Sequence, residues 1–316
     1  MSEIWSNTDF PYMCLKDEAR TLAFRDAIQA VVRPGDVVVD VGAGTGILSF
    51  FAAEAGAAQV LAVEIDPVSA AALRRSIALN PGIADRVRVV EGDAAVVDLP
   101  RAVDVVVAEI IETGLLDEQQ VPVLNALRRR GVITRATRVV PARYETTLEL
   151  VDSDHRYYGF SIAAPKHEWP FYAAGPGWLP TPVTATSAAV VSATVDFAQG
   201  FIGEQVAGQA EVDIDPSMET NAVRLAGTLG LSAWHALGRP TRSTATRRCG
   251  SSARWRMRPS IRSPGRSPRR QQILPIPPIR GVSRVTLRWR YRMGAGLGGL
   301  ELACEPAAAR DEALAR

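Results

Sequence analysis

Cysteine and histidine are scarce in this sequence. Its three thiols, Cys14, Cys249 and Cys304, are far apart in 316 residues and form no CxxC pair. An odd, scattered set excludes a disulfide framework and a thiolate metal site, so no metal is expected and the setting reads as reducing and cytoplasmic. The three histidines, His155, His167 and His235, read as surface or packed side chains. Long apolar runs are missing as well, because Glu54, Gln59 and Glu64 interrupt them before they reach the roughly 20 residues a bilayer requires. The opening stretch MSEIWSNTDF has neither the basic region nor the apolar core of a leader, so a soluble chain with no membrane partner is expected. Acid is absent from residues 220–300, which carry 17 arginines, whereas residues 1–219 carry 30 acidic and 17 basic side chains. The formal net charge of +2 hides this segregation. An acidic surface over the first two thirds attracts cationic partners, arginine-rich protein segments among them, and makes nucleic acid an unlikely one.

What the chain does have is concentrated in residues 37–67, which read VVVDVGAGTGILSFFAAEAGAAQVLAVEIDP. An apolar strand runs into a glycine-rich turn, a helix follows, and a second apolar strand ends on an acid. Gly42, Gly44 and Gly46 allow backbone to approach a ligand closely. A G-x-G-x-G turn alone is a weak signal, but here Asp40 ends the first strand and Glu64 ends the second. A carboxylate at Glu64 can accept both ribose hydroxyls, and Asp40 faces an amino-acid moiety rather than a pyrophosphate. The pair suits S-adenosyl-L-methionine better than a nicotinamide dinucleotide.

Around this unit the punctuation is regular. Ala19, Leu22, Ala23, Ala27, Ile28 and Val31 recur at helical spacing after Asp17, and Pro34-Gly35 stops that helix. Asp66-Pro67 reads as an N-cap followed by proline at the first helical position. Residues 87–90 and 103–108 are further apolar strands. The order predicts a doubly wound, Rossmann-like parallel sheet in an α/β domain over residues 1–140, with its ligand beyond the carboxyl ends of the strands. From residue 141 the period changes to two, in 144–151 and 188–197, which predicts a mostly antiparallel, β-barrel-like substrate domain over 141–316. Residues 239–270, rich in arginine, serine and proline, stand out as a disordered basic arm or as out-of-frame sequence.

The strand at 103–108 ends on Glu109, and Glu118 follows nine residues later. Acids at this rim can converge on a guanidinium through bidentate, charge-assisted hydrogen bonds. Alternatively, one of them caps the helix that starts near Glu118, or both are solvated loop acids.

Several separate segments together resemble the protein arginine N-methyltransferases. CLKDEARTLAF, residues 14–24, is similar to that family's LKDxxRTxxY segment; DVGAGTGILS, residues 40–49, is similar to its glycine motif; residues 60–64 resemble the following strand; and the spacing from Glu109 to Glu118 matches its double-glutamate loop. Residues 140–142 resemble its junction into a β-barrel. Ile110-Ile111-Glu112-Thr113 stand where the family has Trp-Met-Gly-Tyr, and the family's Thr-His-Trp motif has no counterpart. The resemblance implies that Arg20 binds the methionine carboxylate and that Asp40 and Gly42 to Gly46 line the amino-acid part. It also implies that Glu64 holds the ribose, that Phe10 and Tyr12 with Trp5 cover the cofactor, and that a homodimer forms; strict alignment puts Ala95 where the family has an acid for the adenine amino group, and the nearby Asp93 substitutes for it. Glu109 and Glu118 would then be the catalytic pair that binds a substrate guanidinium on a cationic protein or peptide.

The implied activity is S-adenosylmethionine-dependent methyl transfer to arginine nitrogen. The alternatives are a methyltransferase acting on another amino group or a small molecule, and a cofactor-binding module that has lost turnover.

Overall fold

A computed structural model of the chain describes residues 9–168, 182–231 and 271–307. The anomalous stretch 239–270, together with Trp5, His235 and Cys249, lies outside the described residues. Two helices lead in, α1 (Asp9–Lys16) and α2 (Glu18–Val31). Asp17 caps α2 by accepting a hydrogen bond from the Arg20 amide at 3.2 Å, and Thr21, Phe24, Ala27 and Ile28 form its buried stripe.

The expected α/β unit follows as β1 (Val37–Val41), α3 (Ile47–Glu54), β2 (Gln59–Glu64), α4 (Pro67–Ala78), β3 (Val87–Glu91), β4 (Val105–Ala108), α5 (Gln120–Arg129) and β5 (Arg138–Val140). Its five strands form one parallel sheet in the order β3-β2-β1-β4-β5. Burial on both faces makes its central strands β1, β2 and β4 mostly apolar, with Asp40 the buried polar residue of β1. The Asp66-Pro67 reading holds: the Asp66 carboxylate accepts from the Val68 and Ser69 amides at 3.2 and 3.1 Å, with Pro67 as the first residue of α4. Among the described residues no helix is long and apolar enough to cross a membrane.

After the Val140–Pro141 peptide, which is cis, every strand pair is antiparallel. The strands are β6 (Arg143–Ser153), β7 (Arg156–Tyr157), β8 (Phe160–Ser161), β9 (Lys166–Glu168), β10 (Val183–Ala185), β11 (Val190–Asp196), β12 (Gln205–Asp213), β13 (Thr220–Gly230), β14 (Gln271–Ile279), β15 (Arg284–Arg292) and β16 (Glu301–Pro306). One sheet runs β10-β6-β13-β14-β9 with β11 also on β6, and a second runs β12-β15-β16.

Strand β15 accounts for part of the arginine surplus. Val285, Leu287, Trp289 and Tyr291 alternate inward and are buried, while Arg284, Arg288 and Arg292 point outward to acids on neighbouring segments. Arg284 meets Asp213 at 2.6 Å, Arg288 meets Glu305 at 2.8 Å and Arg292 meets Glu204 at 2.8 Å. These arginines form a solvated, cross-strand paired face.

The two faces of the parallel sheet pack differently. Val38, Val105, Val107 and Val140 join Phe24, Ile28, Ala52 and Leu73 in a cluster with the helices. On the other face, Val39, Val41 and Val106 belong to a cluster that continues through Leu115, Leu116 and Leu124 into Leu148, Leu225 and Leu287 of the antiparallel sheets. The chain changes sheet after Val140, yet the two units share this second core.

Candidate active site

A cavity of about 690 Å³ opens at the carboxyl ends of β1, β2 and β4, where doubly wound sheets place ligands. Gly42, Ala43, Gly44 and Thr45 of the glycine turn line it, with Glu64 and Ile65 at the end of β2 and Asp93 to Ala95 after β3. Glu109, Ile110 and Ile111 enter from β4, and Asp117, Glu118 and Gln119 from the loop before α5. Phe10, Pro11 and Cys14 of α1 and Arg20 of α2 complete the lining. Tyr12, expected to cover the ligand with Phe10, is 56% exposed and outside the lining.

Each Glu64 carboxylate oxygen already accepts one backbone hydrogen bond, Oε2 from the Gly44 amide at 2.7 Å and Oε1 from the Asp66 amide at 2.9 Å. Each oxygen keeps a second lone pair, so a vicinal diol can be bound as well. Asp93 Oδ1 accepts from the Ala95 amide at 2.8 Å, and both residues line the cavity.

Arg20 and Glu109 form a two-point ion pair inside the cavity. Arg20 Nε donates to Glu109 Oε1 at 3.2 Å and Nη2 donates to Oε2, with side-chain exposures of 15% and 11%. Arg20 also stacks over Phe24, its Cζ 5.4 Å from the ring centroid, and donates to the Cys14 carbonyl at 3.3 Å. Burial pulls the Arg20 value down, but Glu109 and Cys14 outweigh it and the guanidinium is held above its ordinary value.

Neither glutamate is the N-cap of α5. That position is Gln119, which makes no side-chain capping bond. Gln120, which no sequence motif marks, is fully buried and bridges the peptides on either side of Glu109. Its Nε2 donates to the Ala108 carbonyl at 2.9 Å, and its Oε1 accepts from the Ile110 amide at 3.2 Å. Residues 294–296 of the β unit also line the cavity. A second G-x-G is visible there in the sequence, but nothing local could place it 175 residues back against Gln119.

Two expected ligand residues stand elsewhere. Asp40 is 1% exposed and outside the lining. Its Oδ2 accepts from Ser49 Oγ of α3 at 2.6 Å, so it secures the turn from the helix side. Gly46 also lies outside the lining: it is the N-cap of α3 at φ 85, and a Cβ there would collide with Leu73 Cδ1. Its role is to let α3 and α4 pack together.

Burial pushes the Asp40 carboxyl up to about 7, opposed by its bond from Ser49. An acid with a raised folded value stabilises the fold fully below its ordinary value of 3.8, and that contribution is lost as pH rises through about 7. Asp40→Asn is therefore expected to raise Tm relative to the unsubstituted chain, with a gap that widens from about pH 4 to pH 8. Thermal melts across that range check it, and a constant gap would contradict it.

Comparisons with known proteins match this architecture. The family model described as ribosomal protein L11 methyltransferase (PrmA) matches residues 21–156. An uncharacterized protein of Methanocaldococcus jannaschii is 37% identical over 153 residues, 48% of this chain and 58% of that protein. The ribosomal protein arginine N-methyltransferase rmt3 of Schizosaccharomyces pombe is 30% identical over 172 residues, 51% of this chain and 31% of that protein. Among solved structures, the Trypanosoma brucei PRMT1 enzyme-prozyme heterotetrameric complex with AdoHcy superposes with a TM-score of 0.67 at 18% identity, covering 96% of this chain and 95% of that one. In sequence the chain is similar to methyltransferases over its first half, and in fold it is similar to the Trypanosoma structure along nearly its whole length. It spans 58% of the Methanocaldococcus protein's length and 31% of rmt3's. Doubly wound sheets place ligands beyond the carboxyl ends of their strands, the end of this sheet that carries Glu64 and Glu109.

Proposed function

We propose that the chain transfers a methyl group from S-adenosylmethionine to a guanidinium nitrogen of an arginine side chain in a cationic protein. The observation that carries this reading is that one cavity is lined by the glycine turn and Glu64 together with Glu109 and Glu118. The residues present fit the cofactor. Glu64 has acceptor capacity for a ribose diol, Arg20 offers a guanidinium to a carboxylate, and the Gly42 and Gly44 backbone leaves room for an amino-acid moiety. Supporting the assignment, the Trypanosoma structure is described as a complex with AdoHcy. When bound, S-adenosylmethionine supplies an electrophilic sulfonium methyl.

The protein's own contribution is positioning and charge. Glu109 and Glu118 hold the planar guanidinium by charge-assisted hydrogen bonds and fix one terminal nitrogen for in-line attack. A guanidinium is protonated at any ordinary pH, so the carboxylate pair also polarises that nitrogen and accepts its proton. Arg20 offsets the Glu109 charge from the cofactor side, which makes the two carboxylates unequal. Assembly as a homodimer in a cytoplasmic setting belongs to the same reading; the Trypanosoma neighbour is itself described as a heterotetrameric complex.

A second reading is favoured by the family-model match over residues 21–156, whose description names ribosomal protein L11. It keeps the cofactor and replaces the guanidinium by an amino group. Two peptides of identical sequence, one with arginine and one with lysine at a single site, separate the readings when incubated with methyl-labelled S-adenosylmethionine. Label on the arginine peptide alone is expected. Label confined to the lysine peptide supports the second reading and sinks the first.

A further inference from the structure

The loop that carries Glu118 is fastened at both ends, and neither fastening belongs to the loop itself. From within, the buried Gln120 amide ties the start of α5 to the Ala108 carbonyl and the Ile110 amide, which flank Glu109. From outside, residues 294–297 of the β unit meet it with four hydrogen bonds. The Gly294 amide donates to the Leu115 carbonyl at 2.9 Å, and the Gly296 amide donates to the Leu116 carbonyl at 2.9 Å. The Leu297 amide donates to Asp117 Oδ1 at 2.8 Å, and Gln119 Nε2 donates to the Gly294 carbonyl at 2.6 Å. Leu115 and Leu116 are each 1% exposed, so their carbonyl partners are part of the interior.

The outer clamp depends on glycine. Gly294 has φ 73, and a Cβ there would stand 3.0 Å from Pro122 Cγ and 3.2 Å from both Gln119 side-chain polar atoms. Any larger residue must push against the first turn of α5, immediately after Glu118. Gly281 is a built-in comparison: its φ is 65, so a substitution there meets similar backbone strain, yet nothing lies within 4 Å of its Cβ position.

We infer that Gln120 and the turn at 294–297 are positioning residues that set the separation of the Glu109 and Glu118 carboxylates. The β unit thereby acts on the chemical step through the Glu118 loop, while Gly42, Gly44 and Glu64 stand at the carboxyl ends of β1 and β2. The catalytic part of this inference rests on the proposed function; the structural part does not. Displacing a reacting group by about an ångström costs on the order of a hundredfold in rate.

The test uses the full chain with Gln120→Met, Gly294→Val and Gly281→Val. Three quantities are measured: kcat and KM with an arginine peptide, Kd for S-adenosylhomocysteine, and amide exchange over residues 114–119. Gln120→Met and Gly294→Val are each expected to lower kcat by about a hundredfold, to leave cofactor affinity within about twofold and to speed exchange in the loop. Gly281→Val is expected to match the unsubstituted chain in all three. Unchanged exchange and kcat in both test variants would overturn the inference, as would equal losses in Gly281→Val. Should Gly294→Val fail to fold, Asp117→Ala replaces it, because it removes the Leu297 bond and adds no bulk; Asp117→Asn, which keeps the acceptor, is expected to restore the loop. Absence of methyl transfer by the unsubstituted chain sinks the proposed function instead, and loop exchange then decides the structural part by itself.

Discussion

Glu118→Gln is expected to lower kcat for methylation of an arginine peptide by a factor of about 10² to 10⁴, the range of a positioned acid-base group, with cofactor affinity unchanged. Glutamine has the shape of glutamate and can still accept one hydrogen bond. It removes the negative charge that a guanidinium requires and the oxygen that takes up its proton. Glu118 stands in the loop before α5, whose N-cap is the next residue, Gln119, so the substitution leaves the helix start intact. Glu109→Gln is expected to lose turnover to a similar degree with an added signature. Arg20 is paired to Glu109 through two nitrogens, and losing that charge leaves the Arg20 guanidinium less constrained, so the affinity for S-adenosylhomocysteine changes as well. Steady-state kinetics with calorimetric cofactor binding checks both. Full turnover in Glu118→Gln would remove the double-glutamate mechanism.

The second large effect falls on the cofactor. Glu64→Ala is expected to weaken S-adenosylhomocysteine binding by about ten- to a hundredfold, since hydrogen bonds to a charged acceptor contribute roughly 1.5–3 kcal/mol each. Glu64 is 7% exposed and its carboxylate also takes the Gly44 and Asp66 amides. Alanine therefore loses the diol acceptor and at the same time loosens the glycine turn that Glu64 holds through the Gly44 amide. Saturating cofactor separates this from a defect in chemistry: kcat is expected to recover while KM for S-adenosylmethionine stays raised. A kcat that stays low at saturation would place Glu64 in the methyl-transfer step, contrary to a role in cofactor binding alone.

How much of this was legible in the sequence depends on whether a signal is local. The β1-turn-α3 unit, the Asp66-Pro67 start of α4 and the placement of Glu64, Asp93, Glu109 and Glu118 on one cavity follow from strand ends and spacing, because parallel strands present their carboxyl ends together. Asp40, placed at the ligand by its motif, is outside the cavity lining, because successive residues of a strand face opposite sides. Val41 turns to the cavity, and its neighbour Asp40 turns to α3, where Ser49 takes its carboxylate. Gly46 looks like part of a ligand cradle in the sequence because its real neighbour, Leu73, lies on the next helix. Gln120 carries no motif at all; only burial and two bonds to the peptides around Glu109 reveal it. The turn at 294–297 is a tertiary partner of Asp117 and Gln119, and spacing along one chain does not encode such a pairing.

The central claim is that Glu109 and Glu118 jointly hold a guanidinium next to the cofactor. A crystal structure of the chain with S-adenosylhomocysteine and an arginine peptide tests it most directly. The account predicts the adenosine hydroxyls on Glu64 and the peptide guanidinium within hydrogen-bond distance of both Glu109 and Glu118. A guanidinium bound elsewhere, with one or both of these carboxylates facing away from it, would contradict it.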